Sequence, residues 1–303
     1  MGTPGAAVPT LKRILTDGHE VVAVYTQPDR PAGRGNKLKA SAVKEFALEN
    51  HWNIYQPARI KTPEAREIFK SHNADVLVVV AYGRILPETF LSAYPKGAIN
   101  VHFSLLPKFR GAAPVNWAIV GGETKTGVTT MQMDAGLDTG GILLQKEVEI
   151  TDETAPELME KLSILGADLL SETLATYDAL TAQPQDERYA TLAPILKKED
   201  GLLSWMLSAS EIANRVRGFQ PFPTAFTFYR DKKLTIWKCK PSAESHQLKN
   251  IGEILEAKGD KLLIFCGGDS VLQIEELQLE GKRRMPVTDF LNGTKIRTGD
   301  NLG

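Results

Sequence analysis

Three residues have side chains suited to acyl transfer. Asn100 and His102 lie in the apolar run of residues 98–107, and Asp138 lies in a glycine-containing stretch, residues 132–140. An amide can donate a hydrogen bond to an oxyanion, an imidazole can move a proton, and a carboxylate can orient and charge that imidazole. An extended strand would project Asn100 and His102 to one face, since they are two positions apart. Together the three residues predict a transferase that forms no covalent intermediate.

In the first half of the chain, short runs rich in apolar and β-branched residues alternate with segments of helix length. The predicted strands cover residues 21–25, 75–80, 98–101 and 127–131, and the predicted helices cover residues 7–16, 41–50, 63–71, 114–120 and 155–180. Runs that are apolar at nearly every position fit strands covered on both faces. The pattern predicts an α/β domain with a Rossmann-like parallel sheet.

The pattern changes beyond residue 181. Residues 183–188 and 197–201 are polar without clear periodicity, which predicts a linker over residues 183–204 between a catalytic domain, residues 1–182, and a smaller domain, residues 205–303. The smaller domain has a predicted helix at residues 208–216 and predicted strands at residues 225–229, 234–238, 262–266 and 271–275. Turn residues between those strands favour a small OB-like β-barrel or an open β domain.

Composition excludes several classes of protein. The chain has 303 residues, 42% of them hydrophobic and 24% charged, with a formal net charge of −1, so any polyanion must bind at a local cationic patch. Cys239 and Cys266 have no metal-ligand spacing, which predicts reduced thiols and no metal. No apolar stretch approaches the roughly 18 residues of a membrane span, and no signal peptide is recognisable. We expect a monomeric cytoplasmic enzyme without a membrane partner.

Several short motifs occur in order along the chain. They cover residues 2–4, 26–35, 80–83, 100–107, 110–114, 131–134, 136–140, 217–218, 221–223 and 277–282. With these motifs the chain resembles the methionyl-tRNA formyltransferase family over nearly its whole length. The resemblance implies transfer of a formyl group from 10-formyltetrahydrofolate to the amine of methionine on initiator tRNA.

The resemblance also implies a role for each site residue. Asn100 would stabilise the oxyanion, while His102 and Asp138 would relay a proton through an ordered water. The residues implied in binding the folate are Ser104, Leu105, Leu106, Pro107, Tyr82, Gly83, Arg84, Ile85 and Leu86. Those implied in binding tRNA are Arg30, Arg34, Lys37, Lys282, Arg283 and Arg284.

Three features differ from the family pattern. Members begin several residues earlier, with a short apolar strand, so we expect the first strand to be missing and Met1 to mark a misplaced start or a fragment. Loss of a central strand would expose apolar faces and unpaired backbone groups. Phe103 replaces a small residue and could narrow the formyl site, although strand alternation would point its ring into the core. Gly141 stands where an acidic residue is frequent.

Other functions could use the same three residues. A glycinamide ribonucleotide formyltransferase would lack the second domain, and an amino-sugar formyltransferase would not need the cationic loop around Arg34. A formyl-folate hydrolase would use water in place of the amine. A nucleotide-dependent oxidoreductase would need a G-x-G-x-x-G fingerprint, which is absent. A noncatalytic RNA-binding module would bind RNA without formyl transfer.

The variant Arg34→Ala tests the cationic loop. We expect it chiefly to weaken productive tRNA binding, because the guanidinium between two glycines can approach phosphates closely. Steady-state kinetics should show a raised KM for charged tRNA with little change in kcat. An unchanged KM would contradict a tRNA contact at this loop.

Overall fold

The structure, a computed structural model, describes residues 1–32, 37–244 and 249–303. Two compact units are present. The first consists of Met1–Pro114, Lys125–Glu149 and Met159–Pro194, and the second consists of Val115–Thr124, Ile150–Leu158 and Ile195–Gly303. Every predicted catalytic residue belongs to the first unit.

Up to Pro194 the chain alternates short strands and helices. The strands are β1 (Val24–Tyr25), β2 (Arg30–Ala32), β3 (Lys37–Lys39), β4 (Ile54–Tyr55), β5 (Leu77–Val79), β6 (Ala98–His102), β7 (Arg110–Gly111), β8 (Lys125–Gln132), β9 (Ile142–Glu149) and β10 (Leu192–Ala193). The helices are α1 (Val8–Thr16), α2 (Ala42–Glu49), α3 (Pro63–Lys70), α4 (Glu88–Leu91), α5 (Pro114–Val120) and α6 (Ala155–Thr176). This arrangement confirms the predicted α/β class.

Capping side chains begin the helices close to their predicted starts. The Ser41 hydroxyl accepts a hydrogen bond from the Lys44 N–H at the start of α2, and the Thr62 hydroxyl accepts one from the Ala65 N–H at the start of α3. Each bond satisfies a backbone donor that has no partner inside the helix. Local sequence chemistry therefore sets these boundaries.

The main sheet of the first unit is mixed. Its order is β5-β6-β8-β9, and β5 runs parallel to β6, whereas β8 runs antiparallel to both β6 and β9. The prediction that the strand at residues 127–131 belongs to a parallel sheet was therefore wrong. An apolar run reports that both faces are covered, and β8 is buried at six consecutive positions. Burial alone does not set strand direction.

Met1 and Gly2 lie between β1 and β5. The Gly2 N–H donates to the Tyr25 carbonyl at 3.0 Å, and the Val80 N–H donates to the Met1 carbonyl at 2.9 Å. In the described part of the chain, no strand of more than these two residues occupies this position. There β1 pairs only with β4, as a separate two-stranded sheet. A cavity lined mainly by apolar side chains lies beside the two residues.

The second unit is built on an antiparallel sheet. It contains α7 (Ala209–Gly218), β11 (Ala225–Tyr229), β12 (Lys232–Ser242), β13 (Ile254–Lys258), β14 (Lys261–Cys266), β15 (Ser270–Leu279), β16 (Met285–Pro286) and α8 (Val287–Gly293). The order is β11-β12-β15-β14-β13, with β16 beside β15. Among the described residues no pairing joins β11 to β13, so this sheet is not a closed barrel and the OB-like barrel stays a prediction.

Both cysteines are free thiols, as predicted. Cys266 is buried and Cys239 is partly buried. Burial raises the pKa of the Cys266 thiol to about 12, so this thiol stays protonated near neutral pH. Within residues 1–32, 37–244 and 249–303, no helix is long and apolar enough to span a membrane, and no three metal-ligating side chains cluster together.

The variant Gly127→Ala tests the packing of β8. An added Cβ would lie 2.1 Å from the Lys146 carbonyl oxygen and 2.6 Å from Cδ2 of Leu105. We expect the free energy of unfolding to fall by about 1–3 kcal/mol, since the backbone of β9 must shift. Chemical denaturation measures this change. The matched control is Gly5→Ala, because no atom lies within 4 Å of its added Cβ. Equal midpoints for both variants would contradict this packing.

Candidate active site

Strand β6 places two polar side chains on one face of the sheet. Asn100 pairs with Met131 of β8 and His102 pairs with Thr129, and the two side chains share a face because they alternate with Val101. Asn100 is 7% exposed and His102 is 6% exposed. In the described part of the chain the Asn100 amide has no hydrogen-bond partner, and its atoms are not among the fully buried unpaired ones. Asn100 therefore presents an unused donor that solvent can reach.

A backbone carbonyl sets the orientation of the His102 ring. Nε2 of His102 lies 3.0 Å from the Phe109 carbonyl oxygen. A carbonyl oxygen can only accept, so Nε2 must carry a proton and donate it to this bond. Nδ1 then faces Oδ2 of Asp138 at 3.7 Å. In the neutral ring Nδ1 is then the nitrogen without a proton, and it lies beside the carboxylate.

Asp138 is held through its side chain and its backbone. Oδ2 accepts a hydrogen bond from the Gly111 N–H at 2.8 Å. Nε2 of Gln185 donates to the Asp138 carbonyl at 2.7 Å and to the Gly140 carbonyl at 2.8 Å. The backbone of Asp138 has φ of +52°, which is uncommon for a residue other than glycine. The structure thus brings His102 and Asp138 together, while their catalytic roles stay predictions.

Phe103 points away from the site. It is buried, and its ring lies 3.5 Å from the position that a Cβ at Gly166 of α6 would occupy. Alternation along the chain sends it to the face opposite His102. This confirms the prediction that the ring enters the core and does not narrow the site.

The loop of residues 104–107 is attached to β8 by one hydroxyl. Oγ1 of Thr129 donates to the Ser104 carbonyl at 2.7 Å and accepts from the Leu106 N–H at 3.1 Å. Leu106 is buried, whereas Leu105 and Pro107 are partly exposed. The Ser104 hydroxyl donates to the Lys108 carbonyl at 2.6 Å. Among these residues, Leu105 and Pro107 are the ones whose side chains can contact a ligand.

The second predicted folate segment, residues 82–86, is divided between core and surface. Tyr82 and Leu86 are buried in an apolar cluster, whereas Gly83 is exposed and Ile85 is 74% exposed. The side chains of Tyr82 and Leu86 therefore pack in the core and can serve a ligand only through their backbone. Arg84 donates to the Gln27 side chain and to two backbone carbonyls, so it is committed to the protein itself. An open pocket includes Arg84 and Ile85 in its lining.

Comparison with known proteins identifies the family. The model described as "Formyl transferase" matches residues 1–174, and that described as "Formyl transferase, C-terminal domain" matches residues 195–295. The methionyl-tRNA formyltransferase of Solibacter usitatus is 48% identical over 100% of this chain and 97% of its own length. That of Acetivibrio thermocellus is 46% identical, with 100% and 98% covered. The chain belongs to the methionyl-tRNA formyltransferase family. The predicted family and enzyme class are confirmed.

Solved structures share the fold of this formyltransferase. An N-formyltransferase from Helicobacter canadensis, in complex with folinic acid and dTDP-3-aminofucose, has a TM-score of 0.68 and 19% identity and covers 90% of this chain and 96% of its own. Methionyl-tRNA formyltransferase from Clostridium thermocellum has a TM-score of 0.54 and 21% identity, with 74% and 94% covered. At these identities the likeness concerns the fold alone.

The cations predicted to bind tRNA differ in their availability on this formyltransferase. Lys282 and Arg283 are exposed and make no ion pair with a described residue. Arg284 contacts the Glu276 carboxylate and lies 5.0 Å from the centre of the Trp237 ring, so it already has partners within the protein. Arg30 is exposed in β2. Arg34 and the Lys37 side chain lie outside the described residues.

Sequence reasoning missed the groups that hold the predicted catalytic residues. Phe109 acts through its carbonyl, Gly111 acts through its N–H, and Gln185 lies in a polar segment that predicted a linker. The motif at residues 110–114 includes Gly111, but the sequence assigned no role to it. A backbone carbonyl has no signature in the side chain that carries it, so no pattern pointed to Phe109.

The variant Thr129→Val tests the attachment of the 104–107 loop. Losing the hydroxyl leaves the Leu106 N–H and the Ser104 carbonyl unpaired, at a cost of about 1–3 kcal/mol for each buried group. We expect the KM for 10-formyltetrahydrofolate to rise about tenfold, which corresponds to roughly 1.4 kcal/mol, because the loop loses its fixed position. Steady-state kinetics measures this change.

Thr130→Val is the matched control. Its hydroxyl bonds to Thr173 on the opposite face of β8, so stability should fall while KM stays unchanged. An unchanged KM in Thr129→Val would contradict a folate-binding role for the loop.

Proposed function

We propose that this formyltransferase transfers the formyl group of 10-formyltetrahydrofolate to the free amine of methionyl-initiator tRNA, giving N-formylmethionyl-tRNA for translation initiation. One observation carries the proposal. His102 is oriented by the Phe109 carbonyl with Nδ1 toward the Asp138 carboxylate, on the same strand face as the unpaired amide of Asn100. Family membership indicates the substrates, and this geometry indicates which side chains act on them.

The first step is attack of the amine nitrogen on the formyl carbon. A new carbon–nitrogen bond forms, and the formyl oxygen takes up negative charge in the tetrahedral intermediate. The Asn100 side-chain NH2 donates a hydrogen bond to this oxygen. A donor that is free before the reaction needs no other bond to break when the charge develops.

The second step moves a proton and breaks the old bond. The attacking amine loses one proton, and the folate nitrogen gains one as its bond to the formyl carbon breaks, so the proton count balances. His102 accepts and returns this proton at Nδ1, because Nε2 is bonded to the Phe109 carbonyl, and an ordered water carries it where the groups do not touch. The Asp138 carboxylate stabilises the imidazolium that forms. The proposed chemistry uses these groups alone and assigns no step to a metal.

The folate would bind beside the loop of residues 104–107 and the exposed part of residues 82–86. Leu105, Pro107 and Ile85 offer apolar surface, and Gly83 offers backbone groups without a side chain in the way. A flat ring with polar edges needs both kinds of contact. Tyr82 and Leu86 would support this surface from the core.

The tRNA would bind through both predicted domains, residues 1–182 and residues 205–303. Lys282 and Arg283 would contact phosphates, since Arg284 is paired with Glu276. Arg30, with Arg34 and Lys37, would contact the acceptor end. The proposal also includes four predictions: an OB-like barrel, a linker over residues 183–204, a monomeric state and a cytoplasmic location.

Substitution of the catalytic residues tests the proposal. Asn100→Ala should lower kcat by about 10²–10³, the usual cost of losing one oxyanion donor, and Asp138→Asn should also greatly lower it. The assay incubates the protein with 10-formyltetrahydrofolate and methionyl-initiator tRNA and measures N-formylmethionyl product. Filter binding should show unchanged tRNA affinity in both variants.

Exposed residues of the same unit provide the controls. Asn53→Ala and Asp75→Asn should match the wild type, since both side chains face solvent. Parallel reactions with an elongator tRNA, an amino-sugar nucleotide and water as the only acceptor distinguish the alternative functions. Wild-type kcat in Asn100→Ala, or formylation of the sugar alone, would contradict the proposal.

A further inference from the structure

The side chain of Gln185 connects the Asp138 turn to a buried arginine. Its Nε2 donates to the Asp138 and Gly140 carbonyls, and its Oε1 accepts from Nε of Arg110 at 3.0 Å and from Nη2 at 2.8 Å. Both amide hydrogens and both oxygen lone pairs are therefore used. Reversing the amide would break all four bonds, so the orientation of Gln185 is fixed.

Arg110, a buried residue, binds both Gln185 and Glu187. Its side chain is 6% exposed, and it donates through Nη1 and Nη2 to the Glu187 carboxylate at 2.9 and 2.8 Å. A buried guanidinium is costly unless its donors are paired. Gln185 and Glu187 together provide these partners, so the segment that begins at Gln185 is bound to the strand that contains Arg110.

The same segment also holds the backbone groups that contact His102 and Asp138. The Phe109 N–H donates to the Thr191 hydroxyl at 2.8 Å, and the Arg110 N–H donates to the Thr191 carbonyl at 2.8 Å. Strand β10 then pairs with β7. Gly111 is required at this pairing, because its φ is +123° and a Cβ would lie 2.7 Å from the Ala193 carbonyl oxygen.

We propose that Gln185 is a positioning residue for catalysis, which holds the Asp138 carboxylate at its place beside Nδ1 of His102. The proposal rests on the function proposed above and adds a residue to it. Asp138 sits at positive φ in a stretch that contains several glycines, a conformation of low intrinsic stability. Two hydrogen bonds from Gln185, to the carbonyls at positions 138 and 140, fix this turn. Without them the carboxylate loses its defined distance from the imidazole.

The variants Gln185→Leu and Gln185→Glu test this role. Leucine removes all four bonds at similar volume, and glutamate keeps an acceptor for Arg110 but loses the donors to both carbonyls. We expect kcat to fall about 10- to 100-fold in each, because misplacing a catalytic group by about 1 Å costs up to 10²-fold. The KM values for folate and tRNA should change less than twofold. Gln183→Leu is the matched control, since its exposed side-chain amide donates to the Thr181 carbonyl and to no other group among the described residues.

A double-mutant cycle separates positioning from general damage. If Gln185 acts through the Asp138 carboxylate, Gln185→Leu should cause little further loss of kcat when added to Asp138→Asn. An equal fold-loss in both backgrounds, or wild-type kcat in Gln185→Leu, would overturn the proposal. Failure of the proposed function is distinguishable, because the wild type and Gln183→Leu would then produce no N-formylmethionyl-tRNA.

Discussion

The hydrogen bond from Nε2 of His102 to the Phe109 carbonyl determines which chemistry the site can perform. It commits Nε2 to the backbone and leaves Nδ1 without a proton in the neutral ring, facing Asp138. Phe109 offers its carbonyl from a strained backbone conformation, with φ of +61°. The rest of the site supports that conformation: Thr191 binds the Phe109 N–H, and Gly111, two residues on, binds the carboxylate of Asp138.

The two faces of β8 support the site and the core separately. Thr129 bonds to the loop of residues 104–107 that follows β6, whereas Thr130 bonds to Thr173 of α6 on the other face. Both hydroxyls are buried, and both are hydrogen-bonded, as buried polar groups in folded proteins usually are. Strand β8 therefore holds the predicted folate loop through one face and bonds to the core through the other.

Much of the site could be predicted because it depends on local geometry. The period of two along a strand placed Asn100 and His102 on one face and Phe103 on the other, and the structure has this arrangement. The partnership with Asp138 came from resemblance, since no local rule links residues 36 positions apart. Capping residues such as Ser41 and Thr62 marked helix starts because their effect reaches only three residues.

The remaining features depend on contacts between distant segments. The direction of β8 is set by the path of the chain, which an apolar run does not encode. The polar composition around Gln185 predicted a linker, although its side-chain amide donates to the Asp138 carbonyl. Arg284 belonged to a cationic cluster in the sequence, yet it is paired with Glu276 in the fold. In each of these cases the observed structure depends on a segment that lies elsewhere in the sequence.

The most direct test is to determine which ring nitrogen of His102 carries the proton. A long-range ¹H–¹⁵N correlation spectrum of protein labelled at its five histidines, assigned by comparison with His102→Asn, reports which ring nitrogen carries the proton in the neutral form. We expect a proton on Nε2, with Nδ1 free beside Asp138. A proton on Nδ1 in the neutral ring would contradict it, because the Phe109 carbonyl would then face a nitrogen that cannot donate.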